Sequence, residues 1–428
     1  MMKFRELQKV FDTYRLYKDR GVVRMLASAV ISNQLTGKSN KPVWIMFVAP
    51  PGGGKSDITD SISKIEVIDP RTGALSRLCE EVSDLTTASF ASGMKSSDGE
   101  TSLLKKLNPE GGILLFKDFT TVLSKRADDM TAIMSYLREI YDGHFSKRFG
   151  NGKNVEWEGH LGVIGSCTTI IYHELPKLSA MGDRMMMYQI EQPDRVAVQK
   201  KIWENEDAGI DGSEEMGTAM KAYIESVIAF MVKNKKMVET LSVEESERDD
   251  FNEVANFICF ARSGVVWNFQ KTHIIFVPDP EMPTRVLRQF IGLAQSLMCM
   301  NLSEGGNAKL SSNDRNLIYK IAFDSIPNMR RSVIKIVAEF SLGATDQGIA
   351  DKMSMQLDAV KIWLEELIAI KVLERLFDPV MRKYKYRIRD NFLSVVQRYE
   401  HVETKNEALI SEDEDSVGSE DDYGLGGF

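Results

Sequence analysis

The hydrophobic pattern alternates between short continuous apolar runs and longer stretches with helical spacing. Three such runs are VWIMFVA (43–49), GGILLFKDF (111–119) and HLGVIGSCTTII (160–171). They are continuous rather than alternating, which predicts strands buried on both faces. A helical pattern lies between the second and third runs, at about 130–141. Strand–helix alternation of this kind predicts an α/β domain with a mostly parallel sheet over residues 41–192.

The flanking regions have different patterns. Residues 1–40 predict an N-terminal helical segment, and 193–312 predict a helical lid on the α/β core. Over 313–400, three helical segments (328–340, 345–354 and 357–373) precede a turn and a basic, aromatic strand pattern. This order is the winged-helix arrangement. Residues 401–428 are acidic and rich in glycine and serine, which predicts disorder.

Composition narrows the class of protein. The chain has 428 residues, of which 43% are hydrophobic and 27% charged, which excludes a wholly disordered or collagen-like chain. Its four cysteines lie far apart with no zinc-site spacing, so neither a disulfide framework nor a structural metal is expected. No apolar run is long enough to span a membrane. These features predict a soluble cytoplasmic protein without a membrane partner.

The net charge comes from one end of the chain. Residues 403–428 contain nine acids and one base. Their net charge of −8 equals the formal net charge of the whole protein. The preceding residues therefore sum to zero, and the acidic balance does not exclude nucleic-acid binding by the body.

A phosphate-binding motif follows the first apolar run. Residues 49–56, APPGGGKS, fit a relaxed Walker A pattern between a predicted strand and a predicted helix. The glycines allow backbone N–H groups to surround a phosphate, Lys55 would neutralise phosphate charge, and Ser56 would bind Mg²⁺. ATP and Mg²⁺ are the expected ligands. The predicted binding residues are Pro51, Gly52, Gly53, Gly54, Lys55, Ser56 and Asp57.

A magnesium-binding acid is expected after a neighbouring strand, and the candidate is Asp118. The usual order after the apolar run is Asp-Glu, whereas this chain has Lys117 followed by Asp118. Either Asp118 performs one of the two roles alone, or hydrolysis is slow. We expect slow but real turnover.

These residues resemble the AAA+ superfamily, and within it the minichromosome maintenance (MCM) helicases and their mobile-element relatives. The resemblance covers roughly residues 40–300, and residues 111–119 look like the MCM Walker B block except at Lys117. FSKRFGNGKNVEWEG (145–159) predicts a β-hairpin placed like the DNA-contacting hairpin of that family. The resemblance implies single-strand contacts from Lys147, Arg148 and Lys153. The alternative is an exposed hairpin with solubilising bases.

The resemblance also implies residues that respond to nucleotide. Thr168 stands at the sensor 1 position, and Arg184, in LSAMGDRMMMYQI (178–190), stands at the arginine finger. The alternative for Arg184 is a structural pair with a carboxylate. Arg285, in EMPTRVL (281–287), stands at sensor 2. A finger that acts on a neighbouring subunit implies a ring, and the family expectation is a homo-hexamer around single-stranded DNA.

The predicted wing, RKYKYRIR (382–389), is rich in bases, and strand alternation would place several on one face. These are candidates for phosphate contacts: Arg382, Lys383, Lys385 and Arg387. The preceding helix is apolar and acidic, which does not suit base reading. We therefore favour a winged helix that regulates or packs on the ring, with a purely structural module as the alternative.

The acidic tail ends in Tyr423, Leu425 and Phe428 and resembles the tails of single-strand binding proteins. It is a candidate docking segment for a replication protein, or a solubilising tail.

The favoured function is an ATP-driven helicase on single-stranded or forked DNA, in replication of a phage or mobile element. Catalytic roles fall on Lys55, Asp118, Thr168, Arg184 and Arg285. The alternative is a nucleotide-switched loader or initiator that binds DNA and a partner helicase without unwinding. A DNA-packaging or transcription-related ATPase is a third hypothesis.

Overall fold

The computed structural model describes residues 2–35, 41–68, 75–90, 95–96, 99–100, 103–106, 110–148, 154–174, 184–209 and 211–399. The chain forms two compact units, the first ending at Arg331 and the second beginning at Ser332. Among the described residues, no helix combines the length and apolar character required to cross a bilayer.

The strands fall into one larger sheet in the first unit, one small sheet in the second, and several two-stranded pairs. They are β1 (Trp44–Val48), β2 (Glu66–Ile68), β3 (Leu75–Arg77), β4 (Cys79–Val82), β5 (Lys95–Ser96), β6 (Gly99–Glu100), β7 (Glu110–Phe116), β8 (His144–Arg148), β9 (Asn154–Glu158), β10 (His160–Cys167), β11 (Met186–Gln189), β12 (Val266–Trp267), β13 (Ile274–Phe276), β14 (Ala344–Thr345), β15 (Leu373–Asp378) and β16 (Lys383–Ile388).

The helices surround the sheet of the first unit and build most of the second unit. They include α1 (Phe4–Tyr14), α2 (Gly21–Ser32), α3 (Lys55–Asp60), α4 (Thr87–Phe90), α5 (Leu103–Lys106), α6 (Thr120–Leu123), α7 (Ala127–Asp142), α8 (Arg195–Asp207), α9 (Ser213–Lys233), α10 (Lys235–Glu239), α11 (Glu245–Ala261), α12 (Thr284–Ser303), α13 (Ser312–Asp324), α14 (Asn328–Ala338), α15 (Asp346–Met353) and α16 (Leu357–Ala369). Residues 390–399 are also helical.

The larger sheet has five parallel strands in the order β11-β1-β10-β7-β4. Every residue of β1 is buried, as a strand covered on both faces requires. The prediction of an α/β core with a parallel sheet is therefore confirmed. The three apolar runs that predicted strands form β1, β7 and β10, which are neighbours in the sheet.

The N-terminal helices belong to the first unit, because α2 packs on α12 and on the sheet. Ten of the twelve residues of α2 are buried. The Ser28 and Ser296 hydroxyls lie 2.6 Å apart between α2 and α12. At the start of β1, the Trp44 N–H donates to the Gln289 side chain at 3.0 Å, which attaches α12 to the sheet.

A buried network of charges attaches α13 to β11 and to the chain before α2. The Lys320 ammonium lies 3.1 Å from the Asp324 carboxylate and 3.2 Å from that of Glu191. The Tyr188 hydroxyl donates to Asp19 at 2.5 Å. Removing one partner of such a network would leave an uncompensated buried charge, so its members are fixed relative to one another.

The region predicted as a helical lid, 193–312, contains a β-hairpin. β12 and β13 pair antiparallel between α11 and α12, with Val266 opposite Phe276. The strands have only two and three residues, too few for a clear alternating pattern. The sequence does contain features that disfavour a helix here. β-Branched and aromatic residues surround the two strands, and prolines occupy positions 278, 280 and 283.

The second unit contains α15 and α16 beside a three-stranded antiparallel sheet in the order β14-β16-β15. α16 buries Val360, Leu364 and Leu367. The three predicted helical segments are present as α14, α15 and α16, of which α16 ends at Ala369 rather than at residue 373, and β16 lies within the strand predicted at 382–389. The tail residues Tyr423, Leu425 and Phe428 lie outside the described residues.

The pH dependence of stability follows from His160 at the start of β10. Its Nε2 is buried without a hydrogen-bond partner among the described residues. Burial, helped by the charge of Lys41, lowers the pKa of His160 from 6.5 to about 4. The native state therefore holds this imidazole neutral, whereas the unfolded chain protonates it below pH 6.5.

We expect the free energy of unfolding to decrease as pH falls from 6.5 towards 4. Between pH 7 and pH 4 the wild type should lose about 3 kcal/mol more than His160→Gln. Urea denaturation at a series of pH values measures this difference. The control is His273→Gln, at an exposed histidine, which should follow the wild-type profile. Parallel profiles for wild type and His160→Gln would contradict this assignment.

Candidate functional site

The predicted phosphate and metal residues lie at one edge of the sheet. Because β1, β10 and β7 are parallel neighbours, the loops that follow them leave the sheet at the same edge. The register pairs Val48 with Cys167 and Gly165 with Phe116. The glycine-rich loop, Thr168 and Asp118 therefore meet at the carboxyl ends of the strands. This edge is where ligands bind in open α/β sheets.

The glycine-rich loop has a backbone that its glycines make possible. Gly52 and Gly54 have φ angles of 76° and 74°, in the left-handed region. Gly53 has a different constraint, because an added Cβ would lie 2.9 Å from the Ala49 Cβ and from the Gln192 amide. The loop thus brings its backbone into close contact with its surroundings and leads directly into α3, which starts at Lys55.

Lys55 and Asp118 lie on either side of the end of β10. Burial raises the pKa of the Cys167 thiol to about 11, the nearby Asp118 carboxylate adds to the rise, and Lys55 opposes it. The Asp118 carboxylate accepts the Thr120 N–H at 2.9 Å. Thr120 Oγ1 in turn lies 3.4 Å from Thr168 Oγ1. Asp118 and Thr168 are thereby held together beside the lysine.

The Lys55 ammonium makes no hydrogen bond or ion pair within the described part of the chain. It begins α3 half-buried, and the next residue, Ser56, is exposed. The loop thus presents an ammonium group, a hydroxyl and backbone N–H groups together. That combination binds phosphate oxygens.

Lys117, which replaces the expected metal-binding aspartate, is held by two acids. Its ammonium lies 3.1 Å from Asp60 Oδ1, at the end of α3, and 3.1 Å from Glu81 Oε2 on β4. Hydrogen bonds to these carboxylates raise the pKa of Lys117. The backbone carbonyl of Lys117 accepts the Ser166 hydroxyl from β10. The lysine charge is therefore neutralised within the chain, and Asp118 is the acid left beside Lys55.

The segment after α1 contacts this loop, a contact that the sequence does not predict. Arg15 Nε and Nη2 donate to the two Asp57 carboxylate oxygens at 2.9 and 3.0 Å. The Tyr17 ring lies 3.3 Å from the position of a Cβ on Gly54. The Asp57 side chain, predicted as a nucleotide contact, is thus paired with Arg15. The two residues are 42 apart in sequence, and no motif links them.

The predicted arginine finger and the predicted sensor 2 arginine lie at the opposite edge of the sheet. Arg184 precedes β11, which is parallel to β1, so it lies at the amino-terminal edge. Its guanidinium is buried, donates to Asp142 at 3.0 Å and lies 5.4 Å from the Tyr141 ring centroid. The alternative expectation for Arg184 is a structural pair with a carboxylate. The contact with Asp142 is such a pair.

Arg285 lies close to Arg184. Burial lowers the pKa of Arg184, and the charge of Arg285 lowers it further. Gln289, one turn along α12 from Arg285, donates to the Arg184 carbonyl at 3.0 Å. The structure therefore brings these two arginines together and separates both from the Lys55 loop of the same chain.

The basic hairpin predicted at 145–159 is present as β8 and β9. Lys147 is opposite Val155 and Arg148 is opposite Asn154. The Lys147 ammonium lies 5.0 Å from the Tyr136 ring centroid, and Arg148 is exposed. Lys153 lies outside the described residues.

Some bases of the predicted wing are paired with acids within the chain and others are not. Lys385 lies 2.9 Å from Asp378, and Arg387 donates to Glu374 on the neighbouring strand. Arg382 lies in the turn before β16, not in the strand, and has a φ of 52°. Arg382 and Lys383 make no ion pair within the described residues. Of the four bases predicted to contact phosphate, the two without an ion pair among the described residues therefore lie at or just before the start of β16.

No group of three or more His, Cys, Asp or Glu side chains is arranged for a metal ion in the described ranges. Ser56 and Asp118 offer one hydroxyl and one carboxylate. This suits Mg²⁺, which keeps several waters and is usually bound through one or two carboxylates together with substrate phosphates.

No protein-family model and no curated protein matches the sequence. The functional assignment therefore depends on the chemistry and geometry of the residues described above.

The Arg15–Asp57 pair is expected to stabilise the glycine-rich loop. Arg15→Ala and Asp57→Ala should each destabilise the protein, and the double variant should lose about 1 kcal/mol less than the sum. Urea denaturation of the four proteins measures this coupling energy. Arg15→Lys is the matched control, because it keeps the charge and loses the bidentate geometry, and it should recover less than half of the coupling. Additive single effects would contradict a direct interaction.

Proposed function

We propose that this chain is an ATP-dependent helicase-type motor that acts on single-stranded DNA and works as a ring. Its setting would be DNA replication of a phage or mobile element in a bacterial cytoplasm. The observation that carries this proposal is the convergence of Lys55, Asp118 and Thr168 at one edge of a parallel sheet. A glycine-rich loop alone would support only phosphate binding.

Each residue has a role in phosphoryl transfer from ATP. The loop N–H groups and Lys55 bind the β- and γ-phosphates. Ser56 and Asp118 would hold Mg²⁺, whose charge would offset the negative charge of these phosphates. Thr168, whose hydroxyl lies 3.4 Å from that of Thr120 beside Asp118, would hydrogen-bond the γ-phosphate. Its hydroxyl would report whether that phosphate is present.

The environment of Lys117 supports slow turnover. A motor with an Asp-Glu pair has separate groups for metal and water, whereas this chain has Asp118 alone. The Lys117 ammonium is held by Asp60 and Glu81, so it does not have to occupy the metal position. Hydrolysis with one acid serving both roles is therefore expected to be slow but measurable.

The position of Arg184 and Arg285 supports action between subunits. Both lie at the amino-terminal edge of the sheet, whereas the Lys55 loop lies at the carboxyl-terminal edge. Arginines at that edge serve a second copy of the chain if copies associate edge to edge. Buried Arg184 would have to leave Asp142 to reach a γ-phosphate, whereas Arg285 is partly exposed. A six-membered ring is the expectation from the MCM resemblance.

Other parts of the chain would contact DNA and partner proteins. We assign α8–α12 to an AAA+ lid and the second unit to a winged helix, from its order of helix, strand, two helices and two strands. The β8–β9 hairpin with Lys147, Arg148 and Lys153 is the proposed single-strand contact. Arg382 and Lys383 are proposed phosphate contacts. The tail ending at Phe428 is the proposed docking segment for a replication partner.

The first experiment measures ATP hydrolysis and strand displacement on forked DNA by the purified protein alone. Lys55→Ala should abolish both, because phosphate charge is no longer neutralised. Asp118→Asn should lower the hydrolysis rate by about a hundredfold or more and retain nucleotide binding. Asp128→Asn, at an acid in the first turn of α7, is the control and should hydrolyse at the wild-type rate. Wild-type phosphate release from Asp118→Asn would refute its catalytic role.

The same assay separates the motor from the alternative. DNA-stimulated hydrolysis without strand displacement would favour a loader or initiator. Nucleotide binding without hydrolysis would mean that the site is a binding switch.

A mixing experiment tests the action between subunits. Lys55→Ala and Arg184→Ala proteins should each be inactive, and an equal mixture should recover up to about a quarter of wild-type hydrolysis. That fraction is expected because half of the subunits keep Lys55 and half of their neighbours keep Arg184. Arg285→Ala, at a less buried position, should complement in the same way. A mixture of Lys55→Ala and Asp118→Asn should recover nothing, because both residues belong to one site. Failure of both arginine variants to complement would contradict the arrangement.

A further inference from the structure

The β12–β13 hairpin exposes an apolar surface that the proposed chemistry does not use. We call residues 266–276 and Met282 the apolar hairpin. Phe269, between the two strands, is fully exposed at 104% of its reference area. The other exposed apolar side chains of the hairpin are Val266, Ile275, Phe276 and Met282. Clusters of this kind on one short element mark interaction surfaces, whereas single exposed apolar residues do not.

The base of the apolar hairpin is rigidly fixed. Arg262, which precedes the hairpin, donates from Nε to Glu281 at 2.8 Å, and Glu281 follows the hairpin. The buried Arg330 guanidinium donates to the Ala261 and Ser263 carbonyls at 3.1 and 2.6 Å. The hairpin therefore projects from a fixed support. A two-stranded hairpin is marginal on its own, so a surface that covers its apolar side chains would stabilise it.

The chemistry of the surface favours a protein partner over nucleic acid. Between Gly264 and Pro283 the only charged residues are Lys271, Asp279 and Glu281. Single-strand binding sites combine aromatic residues with several cations, because phosphate charge dominates their affinity. Protein interfaces instead concentrate phenylalanine and methionine in a core with few charges. The apolar hairpin has the second composition.

The position of the apolar hairpin indicates which protein would cover it. Glu281, at the end of the hairpin, lies 3.9 Å from Arg285, and Arg262 Nη1 lies 3.5 Å from the Met185 carbonyl, next to Arg184. The apolar hairpin is thus continuous with the two arginines that lie away from the chain's own Lys55 loop. A site that uses those arginines is complete only when a second copy is present.

We propose that the apolar hairpin is a contact surface for a second copy of this chain, beside Arg184 and Arg285. The contact buries Phe269 and Phe276 against the neighbouring copy and holds the arginines towards that copy's Lys55 loop. This inference rests on the proposed function, because that function supplies the need for a second copy. Apolar burial provides the affinity, and the arginines provide the chemistry.

The test compares Phe269→Asp with Val232→Asp, a control at an exposed apolar residue of α9. Neither substitution removes a buried side chain, so both variants should fold. Sedimentation velocity over a concentration series, with a non-hydrolysable ATP analogue, measures assembly. We expect Phe269→Asp to need at least about tenfold more protein to assemble, since 1.4 kcal/mol of lost apolar contact corresponds to that factor. Val232→Asp should assemble as the wild type does.

Binding of a fluorescent ATP analogue and of a single-stranded oligonucleotide is measured on the same proteins. Unchanged assembly of Phe269→Asp would overturn the proposal, and so would a wild type that stays monomeric. Loss of oligonucleotide binding with unchanged assembly would overturn it in favour of a nucleic-acid surface. If the wild type binds the ATP analogue and Lys55→Ala does not, the proposed nucleotide site stands whatever the outcome for the hairpin. The failure of the hairpin proposal is therefore distinguishable from the failure of the ATPase assignment.

Discussion

The insertion of β10 between β1 and β7 is the constraint on which the rest of the structure depends. β1 carries the glycine-rich loop and β7 carries Lys117 and Asp118, and these strands are not direct neighbours. Because all three are parallel, their loops leave one edge of the sheet, and Thr168 emerges between the other two. The strands can pair in this order because they are apolar enough to be covered on both faces. Apolar burial thus positions polar groups that make few contacts of their own.

Charge around this edge is balanced so that one cation is left without a partner among the described residues. Lys117 is paired with Asp60 and Glu81, and Asp57 is paired with Arg15. Lys55 has no such partner in the same residues. A lysine already paired with a carboxylate would have to give up that contact to bind a phosphate. The pairing of the neighbouring groups therefore keeps Lys55 available, and it also explains how a lysine is accommodated after β7.

The two edges of the sheet have different chemistry. The carboxyl-terminal edge has a loop suited to phosphate, and the amino-terminal edge has Arg184 and Arg285 beside an exposed apolar hairpin. In the proposed function, a single chain leaves Arg184 and Arg285 without a phosphate to contact. Association of copies would give both edges a role, which is why the ring proposal and the hairpin proposal belong together.

The sequence by itself determined the local features. Continuous apolar runs identified β1, β7 and β10, the alternation around Asn151–Asn154 identified β8 and β9, and the glycines identified the turn between β1 and α3. These succeed because periodicity and backbone requirements act over a few neighbouring residues. The short strands β12 and β13 were missed because two or three residues carry no clear period.

Only the tertiary structure decided which distant groups meet. Three contacts join residues from separate elements. Arg15 pairs with Asp57, Lys117 lies between Asp60 and Glu81, and Arg285 lies close to Arg184. The sequence gives the charge of each side chain but not its neighbour, because ion pairs depend on distances of a few ångströms that strand order and helix packing set. The same packing decided that Lys385 and Arg387 are paired within the second unit, whereas Arg382 in the turn and Lys383 at the start of β16 make no ion pair within the described residues.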